Sequence, residues 1–175
     1  MLVAITGTPG VGKSSACRTL AERGHRVLDL NREAEERGLV LGRDDAREAI
    51  IIDTDKLNEF VKSLQDELVF LDGHLSHLLD VDVSIVLRCN PNVLRQRLAS
   101  LGWNERKIGE NVEAEAIDVI LVESLESHPE DTFEVDTTER EPESVTEDIL
   151  SVVDGKASDM RAGSVDWSEV ILSWY

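Results

Sequence analysis

The residues best suited to chemistry lie in one short segment, GTPGVGKSS at positions 7–15. Its glycines, Gly7, Gly10 and Gly12, allow backbone torsions and a close approach that a Cβ atom would block. Backbone amides that converge at a helix N-terminus bind phosphate oxygens, and the helix dipole adds positive potential there. The segment matches the pattern G-x-x-x-x-G-K-S and therefore predicts a phosphate-binding loop, or P-loop.

Two side chains of this loop supply the remaining chemistry of nucleotide binding. Lys13 is expected to bridge the β and γ phosphates, where its charge counters the charge that develops in the transition state. The Ser14 hydroxyl is expected to ligate Mg²⁺, so ATP with Mg²⁺ is the predicted cofactor. The predicted ATP-binding residues are Gly7, Gly10, Val11, Gly12, Lys13, Ser14 and Ser15.

A second group of candidate residues follows the apolar segment ELVFLD. Asp72 ends this segment, and ligands bind at the carboxyl edge of open α/β sheets, so Ser14 and Asp72 are the predicted Mg²⁺ ligands, partly through water. The alternative for Asp72 is a helix cap for residues 75–79. His74 is the candidate that orients the attacking group or a water, with a structural histidine as the alternative; His77 is expected to be structural.

Strands and helices alternate along the sequence in an order that positions these residues. Short apolar segments predict strands, and apolar residues at three- and four-residue spacing predict helices. The predicted strands are 2–6, 26–28, 67–72, 81–87 and 132–136, and the predicted helices are 14–23, 54–65, one opened by Pro91, a long one over 104–127 and one opened by Pro142. This alternation predicts an α/β fold with a mostly parallel five-stranded sheet flanked by helices. A strand directly before the glycine-rich segment and a helix directly after it disfavour the alternative, a turn with an incidental lysine.

The last part of the chain has a different composition. Residues 154–164 (DGKASDMRAGS) have the composition of a mobile linker. After them, Trp167, Val170, Ile171 and Trp174 have helical spacing. This tail is expected to dock on the domain, and a partner-binding helix is the alternative.

Composition limits the classes of function. Thirty-six acidic and eighteen basic residues give a net charge of −18, which disfavours a DNA- or RNA-binding module. Excess acid with only five lysines indicates a halophilic protein, and an ordinary acidic cytosolic protein is the alternative. No apolar run approaches the ~20 residues of a membrane span, and MLVAITGTPG lacks the basic region of a signal peptide. The expected location is cytoplasmic, without a membrane partner, and Cys17 and Cys89 are expected to be buried thiols.

Three further segments of the sequence resemble, together with the P-loop, those of a known family. They are LDGHLSHLL at 71–79, LGWNERKIGENVEAEAIDVIL at 101–121 and DTTEREPES at 136–144. With GTPGVGKSS they resemble the atypical adenylate-kinase family, which includes the eukaryotic nuclear adenylate kinase, or coilin-interacting nuclear ATPase, and its archaeal relatives. The D-x-H element at Asp72 and the G-W-N-x-x-K-I-x-E-N segment distinguish the chain from ordinary adenylate, cytidylate and shikimate kinases.

The resemblance implies a nucleoside monophosphate kinase-like P-loop core over residues 1–153, followed by the linker and helical tail at 154–175. It implies broad-specificity phosphoryl transfer, ATP + AMP to 2 ADP, together with ATPase activity, and catalytic roles for Lys13, Asp72 and His74. It also implies a role in maturation of the small ribosomal subunit through transient binding of ribosomal protein uS11.

The resemblance further divides the core into working parts. Residues about 29–52 would form the monophosphate-binding flap, about 99–109 a short lid, and 136–142 the loop beside the ATP adenine. The family often has a basic residue where this chain has Leu101, and a basic residue is also expected where it has Glu35. The nearby alternatives are Arg106 and Lys107 in the lid, and Arg32, Arg37, Arg43 and Arg47 in the flap.

Two rival functions remain, the first of them from another class. The first is a ribosome assembly factor whose nucleotide state governs binding to a ribosomal protein; a surface of charge −18 attracts a basic protein tail, and the residues at 35 and 101 favour this reading. The second is a kinase of a small metabolite, which would respond to no nucleoside monophosphate.

Overall fold

A parallel sheet forms the centre of the computed structural model, which describes residues 1–44, 49–64 and 67–175. The strands in these ranges are β1 (Leu2–Thr6), β2 (Arg26–Asp29), β3 (Val40–Asp44), β4 (Ala49–Ile52), β5 (Val69–Asp72), β6 (Val83–Arg88) and β7 (Thr132–Asp136). Five of them pair in the order β2-β5-β1-β6-β7, and every neighbouring pair is parallel. The predicted α/β fold with a five-stranded parallel sheet is confirmed. The strands β3 and β4 form a separate antiparallel hairpin.

Helices cover both faces of the sheet. Over the described ranges they are α1 (Lys13–Glu22), α2 (Leu30–Glu36), α3 (Thr54–Lys62), α4 (Pro91–Ser100), α5 (Glu105–Ala116), α6 (Val119–Ser127), α7 (Pro142–Val153) and α8 (Ser168–Leu172). Several begin at the side-chain caps that favour helix initiation: the Asp53 carboxylate accepts from the Lys56 amide at α3, and the Asn90 side chain accepts from the Asn92 amide at α4. In the described part of the chain, no helix has the length and apolar character needed to cross a bilayer.

The strand β1 is buried along its whole length because it lies at the centre of a sheet covered on both faces. Side chains alternate between the faces of a strand, so Val3 and Ile5 pack with Leu20 in one apolar cluster, whereas Leu2 packs with Leu57 in the other. Packing in both apolar clusters therefore holds the end of β1 in place, directly before the segment GTPGVGKSS.

The predicted long helix over 104–127 is wrong, because two helices occupy this range. The helix α5 ends at Ala116 and α6 begins at Val119, with Asp118 between them in a left-handed conformation at φ 59°. The cause is a long-range contact: the Asp118 carboxylate forms an ion pair with the guanidinium of Arg88, which is buried at the end of β6. A break in the helix lets this carboxylate satisfy a buried charge.

The C-terminal segment lies against the last strand of the sheet. The composition of residues 154–164 predicted a mobile linker, whereas Arg161 forms an antiparallel bridge with Phe133 of β7. The amides of Gly163 and Ser164 donate to Glu134 Oε2 over 2.6 and 3.1 Å. The tail that follows is docked on the domain, and its Trp167 side chain is buried.

Candidate nucleotide-binding site

The segment GTPGVGKSS connects β1 to α1 at the carboxyl edge of the sheet. Gly7 and Gly10 have positive φ angles of 133° and 91°. A Cβ on Gly7 would collide with the carbonyl oxygen of Leu87, and one on Gly10 would lie 2.6 Å from Cδ2 of Leu98. These two positions therefore require glycine, and α1 starts directly after Gly12, its N-cap. The backbone amides of this segment therefore lie at a helix N-terminus, the arrangement that the predicted phosphate-binding loop requires.

Lys13 is the cation of the loop. Its ammonium group donates to the carbonyl oxygens of Gly7, at 2.6 Å, and Thr8, at 3.2 Å. Burial lowers the pKa of Lys13 to about 8, against the opposing attraction of Asp72 and Glu115. This value is still above neutral pH, so the side chain carries its positive charge where phosphates are expected to bind.

Asp72 and Ser14 line the same pocket, beside the N-terminus of α1. Burial raises the pKa of the Asp72 carboxyl group, while the nearby Lys13 lowers it. The Cys17 thiol is buried, and its pKa is raised by burial and by the nearby Asp72 carboxylate. The alternative role of Asp72 as a helix cap is wrong, because the short 3₁₀ helix that follows begins after Leu75 without a side-chain cap.

Mg²⁺ fits the chemistry of this pair of side chains. A hydroxyl from Ser14 and a carboxylate from Asp72 are hard oxygen donors, and Mg²⁺ in phosphate-transfer sites takes one or two such ligands, with waters and phosphates completing the shell. The described residues contain no group of three or more His, Cys, Asp or Glu side chains suited to a metal ion.

The two histidines after β5 differ in their surroundings. The His77 side chain is fully buried, with Nδ1 2.9 Å from Thr6 Oγ1 and Nε2 3.1 Å from Glu123 Oε2, which agrees with the predicted structural role. The His74 side chain is half-buried, and its backbone carbonyl oxygen accepts from Thr6 Oγ1 over 3.3 Å. Burial, and then the charge of Lys13, lower the pKa of His74, so the neutral ring is favoured.

A second pocket lies on the other side of the P-loop, between α4 and the loop after β7. The guanidinium of Arg97 donates to the carbonyl oxygens of Val11, at 3.2 Å, and Thr137, at 2.8 Å. The hydroxyl of Thr137 also donates to Val11 over 2.7 Å. The loop 136–142, which the resemblance places beside the adenine, is thus hydrogen-bonded directly to the P-loop. Its Thr137, Arg140 and Pro142 line this pocket.

The candidate flap consists of α2 and the β3–β4 hairpin. Arg32 lines the pocket of Ser14 and Asp72, and its side chain forms an exposed ion pair of 2.7 Å with Glu36. Arg37 pairs with Glu33 at 3.1 Å and lies 3.4 Å over the ring of Phe60. The remaining candidates are Arg43, exposed on β3, Glu35, exposed on α2, and Arg47, which lies outside the described residues.

The candidate lid consists of the end of α4, the turn at Gly102 and the start of α5. Leu101 is 65% exposed, so an apolar side chain faces solvent where a basic one was expected. Arg106 pairs with Glu110 at 3.0 Å on the exposed helix surface, and the Lys107 ammonium lies 4.3 Å from the centre of the Trp103 ring. Both cations are therefore held on α5.

Sequence reasoning missed a buried polar network behind the P-loop. The hydroxyl of Thr8 donates to Glu115 Oε2 over 2.6 Å, and Glu115 Oε1 accepts from Arg88 Nε over 2.9 Å. Arg88 also pairs with Asp118 and Glu134. One signal was present in the sequence: an arginine that ends the apolar strand VDVSIVLR is buried only if acidic partners surround it.

The parallel sheet, the glycine-rich loop after its central strand, the half-buried lysine and the carboxylate on the neighbouring strand together define a P-loop protein with a nucleotide kinase-like fold. Residues 3–118 match the family model described as an AAA domain. The protein named "Putative adenylate kinase" of Pyrococcus abyssi is 46% identical over 172 residues, which cover 97% of this chain and 93% of the relative.

Other archaeal relatives carry the same name. The protein of Archaeoglobus fulgidus is 45% identical, with 95% of this chain and 92% of the relative covered. That of Methanocaldococcus jannaschii is 38% identical, with 97% and 94% covered. The chain belongs to this family of atypical adenylate kinases. A crystal structure of an uncharacterized protein from Eubacterium ventriosum has the same fold, with a TM-score of 0.56, 16% identity and coverage of 89% of this chain and 98% of the other.

Proposed function

We propose that the protein is a nucleoside monophosphate kinase that transfers the γ-phosphoryl group of Mg²⁺-ATP to AMP and gives two ADP. One observation carries the proposal: pockets open on both sides of the N-terminus of α1. One contains the loop 136–142 and fits the donor nucleotide. The other contains Ser14, Asp72 and Arg32 beside the flap and fits an acceptor phosphate.

The proposed mechanism consists of positioning and electrostatic stabilisation. The amides of Gly10 to Ser14 would bind the donor phosphates, and the Lys13 ammonium would stabilise charge on the transferred group. Bound Mg²⁺, held by Ser14 and Asp72, would neutralise phosphate charge. Closure of the flap and lid would exclude water, which otherwise wastes ATP by hydrolysis.

His74 would orient the acceptor or a water with its neutral imidazole. The side chain is half-buried two residues after Asp72, and its lowered pKa favours the ring that both donates and accepts a hydrogen bond. We expect His74→Ala to slow both AMP phosphorylation and ATP hydrolysis. Unchanged turnover in both assays would remove the role.

A panel of phosphate acceptors with Mg²⁺-ATP tests the function, at both low and molar salt. Molar salt is included because the Debye length is then short, which weakens the repulsion among the charges of a protein with a net charge of −18. We expect AMP to give rapid ADP formation without phosphate release, and EDTA to stop the reaction. An absence of response to every nucleoside monophosphate would instead identify a kinase of another small metabolite.

A nucleotide-switched ribosome assembly factor is the second candidate. The exposed Leu101 and Glu35 occupy positions where cations would assist phosphoryl transfer, and the acidic surface suits a basic partner such as ribosomal protein uS11. In this case ATP hydrolysis would be the main activity, within maturation of the small ribosomal subunit. Slow phosphate release that changes on addition of uS11, without rapid ADP formation from AMP, would favour this candidate.

A further inference from the structure

The side chain of Thr8 connects the P-loop to the buried network around Glu115. Thr8 is 2% exposed, and its hydroxyl donates to Glu115 Oε2 over 2.6 Å. The other oxygen, Oε1, accepts from Arg88 Nε, the Cys89 amide and Trp167 Nε1 over 2.9, 3.1 and 3.3 Å. Within the described ranges, Oε2 has Thr8 as its only hydrogen-bond donor. One oxygen of the Glu115 carboxylate thus contacts the P-loop, and the other contacts Arg88, Cys89 and Trp167.

The backbone of Thr8 helps to hold the reactive ammonium group. Its carbonyl oxygen accepts from Lys13 Nζ over 3.2 Å and from the Val11 amide over 3.3 Å. The adjacent carbonyl of Gly7 accepts from the same ammonium over 2.6 Å. The residue that Glu115 binds therefore carries one of the two carbonyls that position Lys13.

The same network reaches the C-terminal segment. Arg88 holds Glu115 and also pairs with Glu134, whose second carboxylate oxygen accepts the amides of Gly163 and Ser164. Trp167 contacts Glu115 directly. Buried polar groups lose much free energy when one partner is displaced, so these groups are expected to keep one another in place.

We propose that Glu115 is a positioning residue for phosphoryl transfer, which fixes Lys13 through Thr8 and couples the P-loop to Trp167. The inference rests on the proposed function, since it requires that nucleotide phosphates bind at Lys13. Phosphates that attract the ammonium away from Gly7 and Thr8 change the contacts of Thr8, and through Glu115 they change the surroundings of the Trp167 indole. Such coupling acts equally in both directions.

Kinetics of paired substitutions test the positioning role. Thr8→Val keeps the shape of the side chain but removes the donor, whereas Thr8→Ser keeps the hydroxyl. We expect Thr8→Val to lower kcat about 10–100-fold, the effect of removing a supporting hydrogen bond behind an active-site group, with the KM for AMP unchanged. Thr8→Ser should restore kcat to within about threefold, since it retains the hydroxyl donor to Glu115.

Substitution of Glu115 completes the cycle. Glu115→Gln loses the carboxylate charge, and its amide group can only donate to the Thr8 hydroxyl while its oxygen accepts from Arg88. We therefore expect a smaller fall in kcat than in Thr8→Val, and the double variant should be no slower than Thr8→Val alone. Glu113→Gln, on the exposed surface of the same helix, is the matched control and should leave kcat unchanged. Thermal unfolding confirms that each variant is folded, and Glu115→Gln serves as the test if Thr8→Val does not fold.

Tryptophan fluorescence tests the coupling. With Trp103→Phe and Trp174→Phe in place, only Trp167 reports, and its emission should change when ATP binds. The change should disappear in Thr8→Val while calorimetry still detects ATP binding. Unchanged kcat in Thr8→Val and Glu115→Gln, or ATP binding without a change in Trp167 emission, would overturn this inference alone. A calorimetric absence of ATP binding to the wild type would instead overturn the proposed function.

Discussion

The two sides of the nucleotide site are built differently. On the P-loop side, the buried Glu115 accepts from Thr8, and the half-buried Arg97 and the buried Thr137 donate to Val11. On the flap side, the exposed side chains of Arg32 and Arg37 pair with Glu36 and Glu33, and the β3–β4 hairpin is not paired with the main sheet. Exposed ion pairs contribute only about 0–1 kcal/mol each. In the proposed function, the donor phosphates would therefore meet a fixed frame, and the acceptor side would rearrange at low energetic cost.

The largest effect is expected from removal of the P-loop cation. Lys13→Met should lower kcat by at least about 10²–10³-fold, because a preorganised charge at the transferred group is lost. The control is Lys62→Met on α3, which removes an exposed ion pair between Lys62 and Asp80. It should leave kcat within about twofold, as expected for a surface pair. A coupled assay of ADP formation measures both. Equal losses at the two lysines would contradict the contrast between the fixed frame and the surface.

Alanine substitutions of two glycines, one in the P-loop and one beside the flap helix α2, test whether the two regions differ in rigidity. Gly10→Ala combines a positive φ with a Cβ contact of 2.6 Å to Leu98, so the free energy of unfolding should fall by about 2–4 kcal/mol and ATP affinity should drop. Gly38→Ala also has a positive φ but meets nothing within 4 Å, so the loss should be about 1 kcal/mol with ATP affinity retained. Urea unfolding and ATP titration measure both effects. Similar losses at the two positions would show that the loop is not fixed by its packing.

Within the flap, Arg32 is expected to bind AMP, whereas Arg37 is expected to contribute only to folding stability. Arg32→Ala should raise the KM for AMP about tenfold while the KM for ATP stays the same, because one phosphate contact of about 1.4 kcal/mol is lost beside Ser14 and Asp72. Arg37→Ala removes the contact with Phe60 and the pair with Glu33, so it should lower stability by about 1 kcal/mol without altering either KM. An increase in the KM for ATP in Arg32→Ala would place this arginine on the donor side.

The smallest effect concerns pH and His77, which supports the fixed frame through Thr6. Burial lowers the pKa of His77 below its usual 6.5, so the unfolded chain binds a proton more readily. The free energy of unfolding should therefore fall as pH drops below about 6.5, by at most ~1.4 kcal/mol per pH unit for one histidine. His77→Gln should reduce this slope. The unfolding free energy of His77→Gln at pH 8 gives the general cost of the substitution, which is subtracted from the values at lower pH. An unchanged slope would exclude His77 as the titrating group.

Local sequence signals predicted the frame of the site well. The strands β1 and β7 have the predicted bounds, and Ser14 and Asp72, the predicted Mg²⁺ ligands, line one pocket. These features follow from apolar runs, capping residues and a glycine pattern that act over a few residues. Parallel strands then bring the distant Asp72 to the P-loop, because their carboxyl ends share one edge.

Contacts between distant residues were beyond the reach of these signals. The periodicity of 104–127 is that of one helix, and only the buried Arg88 on β6 explains why it breaks at Asp118. The composition of 154–164 resembles a linker, yet Glu134 on β7 binds its backbone amides. In both places the deciding partner is a buried charge whose position depends on the completed sheet.

The two buried thiols have a practical consequence for labelling. Alkylating reagents attack the thiolate, and burial raises the pKa of Cys17 strongly and that of Cys89 to about 11. The folded wild type should therefore resist maleimide at neutral pH without removal of either cysteine. A single Leu41→Cys change, at a site 67% exposed on the hairpin, offers a selective dye attachment point for following flap movement during turnover.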